Sequence, residues 1–562
     1  MLRITEIKLP LDHSEEALRT AIVSVLGIAE GELSDYTLYK RSYDARAKGN
    51  ISLIYQLDVA LPSEIEKTIL KEQAAKKTAN KGVRSLVIPS PDTRYKFVAL
   101  AEAGFQIDEE QRPIVVGFGP CGILAALLLA QMGLKPIVLE RGRDVRQRTK
   151  DTWGLWREGK LDTESNVQFG EGGAGTFSDG KLYSQVKDKR FLGRKVLTEF
   201  VKAGAPAEIL YVSKPHIGTF KLVTMVEKLR AEIIRLGGEV RFEQKVATLN
   251  RKPAEDGSDN GEVTGVTLSS GDTLNSRHII FAVGHSARET FQMLLEQQVY
   301  IEPKPFSIGF RIEHPQSVID KARFGKQAGH PILGAADYKL VHHCKNGRSV
   351  YSFCMCPGGT VVAATSEDGR VVTNGMSQYS RNERNANSAI VVGIDPETDY
   401  PLNVLAGIDL QKSLESKAYA LGGENYNAPA QLLGDYLNNR PSESLASVTP
   451  SYQPGVTLTD LSEALPEFAN EAIREAIPEF EKQIKGFSMD DAVLTGVETR
   501  TSSPICIRRD KTFQSLNTKG LYPAGEGAGY AGGILSAAID GIKAAEAIAL
   551  DILKNDSTSE PV

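Results

Sequence analysis

Residues 113–142, PIVVGFGPCGILAALLLAQMGLKPIVLERG, constrain the rest of the chain more than any other stretch. Ile114, Val115 and Val116 read as a buried parallel strand that runs straight into a glycine turn. The small and apolar run from Gly122 to Met132 reads as a helix packed on a sheet, and Ile137 to Leu139 as a second strand ending in Glu140. Each glycine has its own task. Gly117 permits the tight turn, Gly119 leaves room for a pyrophosphate beside the backbone, and Gly122 lets the helix lie close to the strand. Free N–H groups and the helix dipole then favour phosphate. Glu140, eighteen residues after Gly122, is placed to accept ribose hydroxyls. The pattern predicts a dinucleotide site, with Pro120 and Cys121 inside the turn as further contacts.

Two later stretches extend that expectation. Asn166 to Leu182, NVQFGEGGAGTFSDGKL, has five glycines within a dozen residues, interleaved with Val167, Phe169, Phe177 and Leu182. The apolar residues ask for burial, so a mobile linker fits poorly and a second phosphate- or flavin-contacting loop fits well, with Asp179 among its polar groups. Gly520 to Ile548 reads as a short strand, a glycine loop and a helix. Glu526 sits where an acid could bind ribitol hydroxyls. Gly532, Gly533 and Ile534 would open a helix whose N–H groups face a flavin ring. Gly119 and Gly533 are therefore expected to meet across one cofactor.

The chain has 562 residues, enough for two to four domains. A net charge of −5 argues against a general nucleic-acid or anionic-membrane binder. Five cysteines without zinc-type spacing argue against a disulfide framework and for a reducing, cytoplasmic setting. The charged start, MLRITEIKLPLDHSEE, has no signal-type apolar region. No window approaches a transmembrane span. No metal site is expected, since His342 and His343 are adjacent and would point to opposite faces of a strand.

The expected architecture is α/β. Residues 1–90 read as a βαββαβ, ferredoxin-like domain: strands at Leu2–Leu9, Tyr36–Tyr43, Ile51–Leu61 and Ser85–Ile88, with helices after Ser14 and from Pro62 to about Leu70. Lys71 to Arg84 reads as a solvated connector and residues 91–110 as a linker. Residues 111–304 read as the first part of a Rossmann-type domain, in which a charged segment, Arg141 to Lys150, follows the motif. A helix at 218–236 precedes strands at Glu239–Asn250, Glu262–Ser269 and His278–Val283, giving a three-strand β-meander and a last apolar strand. Val246 and Gly284, on its flanks, are expected among the cofactor contacts. Residues 305–488 read as an inserted α+β substrate domain. Its strands are expected at Phe306–Ile312, Val350–Met355 and Thr360–Ala364, and its helices at Leu410–Leu421 and Asp460–Gln483, the latter broken at Pro466 and Pro478. Residues 489–555 return to the nucleotide domain, and 556–562 form a polar tail.

The stretches SYDARAKGN, VVGFGPCG, NVQFGEGGAGTFSDGKL, KPHIGTF, AVGHSARET, KPFSIGFRIEHP, YSFCMCPGG, GVETRTSSP and LYPAGEGAGYAGGILSAAIDG carry a resemblance. The chain resembles the uncharacterised FAD-dependent dehydrogenases, a group within the glutathione-reductase-like flavoprotein superfamily. The resemblance implies FAD and an oxidoreductase, without a substrate. It implies FAD contacts at Gly117, Gly119, Gly122, Glu140, Arg141, Gly172, Gly173, Ala174, Gly525, Glu526, Gly532, Gly533 and Ile534. Glu526 departs from related flavoproteins, in which Asp is commoner. A second GxGxxG is missing, so NAD(P)H as a transient reductant would have to visit the substrate's own site.

The candidates for chemistry follow from placement. Arg500 in GVETRTSS could hold a substrate carboxylate or the flavin, against an ion pair with Glu498. His285, after an apolar strand, could donate a proton. Arg311 and His314 could face the cavity. Cys354 and Cys356, two apart on a strand, would share a face and could be redox-active or merely small apolar linings. SRNERNANS (380–388) reads as a polar turn rather than an anion loop. The expected substrate is a small molecule, anionic or lipid-like. The alternative is a flavin-bearing redox sensor whose N-terminal domain engages a partner.

Overall fold

A computed structural model describes residues 1–562 other than 48, 80–85, 185, 257 and 556–562. At its centre is a five-stranded, wholly parallel sheet in the order Leu521–Pro523, Ile279–Phe281, Ile114–Val116, Ile137–Leu139, Glu239–Arg241. The inner strands are only three residues long and buried throughout, so they read as plain apolar runs. Helices Pro120–Gln131, Leu192–Lys202, Thr219–Arg235 and Ile534–Asn555 cover one face. The antiparallel strands Val246–Pro253, Gly261–Leu268 and Thr273–Asn275, with helix Arg288–Glu296, cover the other.

Three local expectations around this sheet are corrected. The stretch Glu239–Asn250 is not one strand. Glu239–Arg241 joins the parallel sheet, and Val246–Pro253 starts the antiparallel one. The polar turn between them puts Glu243 in the left-handed region at φ 56°. The charged segment at 141–150 is largely helical, running Val145–Glu158. The Asp144 side chain caps it by accepting the N–H groups of Arg146 and Gln147. Residues 91–110 are no free linker, since Tyr95, Val98, Phe105 and Ile107 pack on the helical layer and the Tyr95 hydroxyl donates to Glu546 at 2.7 Å.

A larger sheet lies beside the first, in the order Val341–His343, Ser349–Ala363, Asn385–Ile394, Phe306–Pro315, Val493–Glu498, Ala428–Leu432, Val456–Leu458, with Thr373–Ser377 alongside Ser349–Ala363. The strands expected at 350–355 and 360–364 are one 15-residue strand interrupted by register shifts. Val493–Glu498, expected in the closing nucleotide part, belongs to this sheet. Residues 385–388, expected in a turn, begin strand Asn385–Ile394, because Asn385 and Asn387 have buried partners in Glu313 and Arg311. Helix Glu467–Gln483 continues through Pro478. Its buried face (Ala469, Ala472, Ile473, Ala476, Ile477, Phe480) is continuous across the proline, so packing outweighs the lost hydrogen bond.

The N-terminal residues form an antiparallel sheet, Asp35–Asp44, Ser52–Ala60, Leu2–Pro10, Val87–Pro89. Helix Glu15–Leu26, capped by Ser14, and helix Ser63–Ala79 go with it. The second helix runs into the expected connector at 71–84, of which 80–84 lie outside the described residues. Two backbone hydrogen bonds tie this sheet to the rest: Arg41 N–H to the Tyr211 carbonyl at 2.6 Å and Ser213 N–H to the Arg41 carbonyl at 2.9 Å.

Candidate active site

The C-terminal ends of the parallel strands and the underside of the larger sheet enclose a cavity of about 970 Å³. Strand ends are where an open α/β sheet leaves a crevice for a ligand. Gly117, Gly119, Pro120 and Cys121 line it at the first turn, and Glu140 and Arg141 at the second strand. Gly173, Ala174 and Asp179 come from the second glycine stretch, Val246 and Gly284 from the flanks, and Glu526, Gly532, Gly533 and Ile534 from the closing loop. His285, Arg500 and Cys354 line it too.

Five expected site residues are not among the lining. Gly122 faces the turn behind it: a Cβ there would lie 1.9 Å from the Gly117 carbonyl oxygen. Gly172 faces away, toward Thr176 and Val226, and Gly525 faces Cys121. These three glycines sit behind the walls and are not part of the lining. Arg311 and Cys356 are wholly buried in the larger sheet.

The two glycine stretches touch. A Cβ on Gly173, itself at φ 60°, would lie 2.9 Å from the Gly119 Cα, so the second loop could not carry a side chain there. The loop at 166–171 is held from within by Arg148, a fully buried residue that the sequence reading missed. Its guanidinium donates to the carbonyls of Asn166 at 2.7 Å, Val167 at 2.7 Å, Gly170 at 3.3 Å and Glu171 at 2.7 Å. Burial lowers its pKa to about 10, so it stays charged at neutral pH. Glu140 accepts three backbone N–H groups: Phe118 at 2.8 Å, and Gly142 and Gly170 at 2.9 Å. A carboxylate has about four acceptor sites, which leaves one for a ligand hydroxyl. Across the cavity, a Cβ on Gly532 or Gly533 would meet nothing within 4 Å, and the start of helix Ile534–Asn555 is open to the space.

The charged residues fall into two networks that spacing alone did not predict. Arg500 does not pair with Glu498. It makes a two-pronged bond to Glu415, at 3.0 and 2.8 Å, and donates to Ser286 and Ser366. Arg288 grips the same carboxylate at 2.7 and 3.1 Å. Burial raises the Glu415 pKa, but Arg500 and Arg288 overcome it and hold the carboxyl well below its usual range. Glu415 also left a trace in the sequence, because it lies on the buried helix face with Ile408, Gln411 and Ala418. An acid in that stripe calls for a cation. Glu498 pairs instead with Arg311 at 3.1 Å, and Arg311 also donates to Asn387 at 2.6 Å and to the Cys354 carbonyl at 3.1 Å. Both arginines are thus committed to the protein and are corrected as substrate anchors. Asp179 is likewise held by Arg381, at 2.9 Å through its first oxygen. His314 is buried, its ring bonded to the Phe487 carbonyl at 2.7 Å, and faces no cavity.

His285 is corrected as a proton donor. Burial, then Arg500 and Arg288, push its pKa down to about 3, so the ring is neutral. It lies 3.9 Å from Glu526. Burial raises the Glu526 carboxyl to about 7, with Lys304 opposing the rise and Cys354 adding to it. A protonated Glu526 cannot accept as a carboxylate does. If it receives ribitol hydroxyls, cofactor binding must expel its proton. FAD affinity should therefore climb with pH, by up to about tenfold per unit below 7, and level off above. Fluorescence titration of the apoprotein from pH 5 to 8 checks this, and Glu526→Gln should flatten the curve. Two lysines also face the space: Lys304, and Lys181, whose ammonium donates to the Met355 carbonyl.

Away from the cavity lining, His342 Nε2, Cys344 Sγ and a Glu475 oxygen lie within 4.8 Å of one another. The partner of His342 is thus two residues on, and not the adjacent His343. No helix among the described residues is long and apolar enough to cross a membrane.

Residues 305–501 match the family described as FAD-dependent protein, C-terminal domain-like, and residues 1–60 match a domain of unknown function. The larger sheet, which roofs the cavity, thus lies within a segment of the kind described for FAD-dependent proteins. An uncharacterized protein of Clostridium beijerinckii is 45% identical over 548 residues, which is 97% of this chain and 98% of that protein. The chain belongs to one family with it. Among solved structures, a geranylgeranyl bacteriochlorophyll reductase-like protein of Thermoplasma acidophilum is 12% identical with a TM-score of 0.33, over 80% of this chain and 80% of that one. A 3-ketosteroid-delta4-(5alpha)-dehydrogenase of Rhodococcus jostii is 12% identical with a TM-score of 0.32, over 80% of this chain and 99% of that one. Likenesses this distant carry no argument about the present chain.

Proposed function

We propose that the protein is an FAD-dependent oxidoreductase whose Rossmann-type segments clasp the cofactor and whose larger sheet roofs a small-molecule site. The observation that carries this reading is the convergence of two open helix starts, at Pro120 and Ile534, on one cavity of about 970 Å³. A helix start facing empty space favours an anion, and two of them suit an extended ligand with a diphosphate and an electron-poor ring. The missing Cβ atoms of Gly119 and Gly173 leave a cradle that a side chain would fill.

The residues present fit FAD. Gly119, Pro120 and Gly173 would take the diphosphate, Glu140 a ribose hydroxyl, Glu526 the ribitol, and Gly532 to Ile534 the ring's polar edge. When bound, FAD supplies two-electron transfer. The chain's own part is to orient and to exclude water. The Arg500–Glu415–Arg288 cluster fixes the floor, and neutral His285 lies against Glu526 at the cavity wall. The anionic group expected on the substrate would be held by Lys181 and Lys304 in place of Arg500 and Arg311. Pyridine nucleotide, as reductant, would enter through this same space.

Purified protein should be yellow and should take up FAD near one per chain. Anaerobic mixing with NADPH, NADH or a panel of small anionic substrates should then bleach it. Colourless protein that refuses added FAD sinks the reading. A bound flavin inert to every donor, with a partner recovered on the N-terminal sheet, would favour the sensor instead.

A further inference from the structure

Strand Ser349–Ala363 pairs regularly with Asn385–Ile394 as far as Phe353, then loses register between Phe353 and Cys356 and again before Gly359. In the gap, Cys354 adopts φ 45°, a left-handed conformation uncommon for any residue but glycine. The kink corrects the expectation that both thiols share one strand face. Cys354 lines the cavity, and Cys356 is wholly buried behind it. The thiols remain neighbours: the Cys356 thiol donates to the Cys354 carbonyl at 3.3 Å, and each thiol shifts the titration of the other. Both are free.

Two cations secure this turn. Arg311 donates to the Cys354 carbonyl at 3.1 Å, and the Lys181 ammonium donates to the Met355 carbonyl. The hydrogen bond from Cys356, then Lys181 and Arg311, hold the Cys354 thiol well below its usual range, while Cys356 is held above its own. A low-pKa thiol at a cavity with a high-pKa thiol behind it is the division of labour of an attacking and a resolving cysteine.

Resting on the reading of this cavity as a flavin site, the geometry points to Cys354 and Cys356 as a redox-active dithiol that reduces a small disulfide and is reset by the reduced flavin. The Cys354 thiolate attacks one sulfur of the substrate, breaking its S–S bond and forming a mixed disulfide. The departing thiolate takes a proton. Cys356 then attacks the Cys354 sulfur, which frees the second substrate thiol and closes a Cys354–Cys356 disulfide. Two electrons have passed to the substrate, and the two protons of the dithiol end on its two thiols. Reduced FAD, a two-electron donor, returns the pair to thiols. Lys181, beside Cys354, favours a disulfide that carries a carboxylate.

The flavin-containing protein, reduced and desalted, is mixed with dithiobis-nitrobenzoate or oxidised glutathione. Wild type should release two thiol equivalents per chain in the fast phase, and the peptide holding both cysteines should then resist alkylation. Cys356→Ser should release one and retain a mixed disulfide on Cys354, and Cys354→Ser should lose the fast phase. Wild-type peptide mapping needs no variant, so a misfolded mutant does not blunt the test. Fast alkylation of both cysteines after oxidation, or a lasting mixed disulfide in wild type, overturns the proposal. In a second arm, disulfide-bearing protein with photoreduced flavin should regain its colour anaerobically, and a flavin that stays bleached overturns the reset. Protein without flavin would sink the cofactor reading and the reset with it, while the thiol arm still reports on the pair.

Discussion

Arg148→Met should give a protein that purifies without flavin and unfolds at a markedly lower urea concentration. The substitution keeps the length of the side chain but strips the Asn166, Val167 and Glu171 carbonyls of their donor, and leaves the Gly170 carbonyl only the Gly173 N–H. Each buried acceptor left unpaired costs ~1–3 kcal/mol, so even partial relaxation leaves a penalty on the order of 3 kcal/mol. The loop that loses its staple is the one whose Gly173 meets Gly119, so cofactor binding goes with it. Arg148→Lys should rescue little, because one ammonium cannot reproduce a planar fork spread over four acceptors. Flavin content from the visible absorbance and the urea midpoint from circular dichroism decide the matter. A variant that keeps both would show that something else holds the loop.

Gly122→Ala should be nearly as damaging. Its Cβ would sit 1.9 Å from the Gly117 carbonyl oxygen on one side of helix Pro120–Gln131. On the other side, Gly541 of the closing helix already presses on the same segment, with its own missing Cβ only 2.1 Å from the Cys121 carbonyl oxygen. The first helix is wedged between backbone and backbone and cannot step aside. Overpacking of this kind costs about 1–3 kcal/mol. The helix start would also shift away from the cavity, so FAD affinity should fall by about a hundredfold, equivalent to ~2.7 kcal/mol. Gly31→Ala, outside the cavity lining, is the control, since nothing lies within 4 Å of its added carbon. Fluorescence titration of both apoproteins should separate them, and equal affinities would refute the wedge.

What could be read from the chain before folding was whatever is encoded locally. Ile114 to Glu140 announces itself because strand, turn, helix and strand follow one another within thirty residues, each with its own period. Ser14 and the glycines of the closing loop are legible for the same reason. Partner choice among buried charges is not local. Arg500 reaches back 85 residues to Glu415, and Arg311 reaches forward 187 to Glu498, while the nearer pairing of Glu498 with Arg500 looked equally sensible. Arg148 was hidden in a segment, Arg141 to Lys150, that reads only as charged. Pro478 and the split at Glu243 each needed knowledge of the neighbouring layer, which decides whether a local preference wins.

The edge position of Leu521–Pro523 has a consequence for biosynthesis. That strand completes the central sheet and leads into the helix that closes the cavity, yet it is translated long after the glycine turn at 117–122. A chain translated only as far as the glycine turn lacks one edge of its sheet and one wall of its cleft, so a ligand that needs both walls waits for the segment through Ile534.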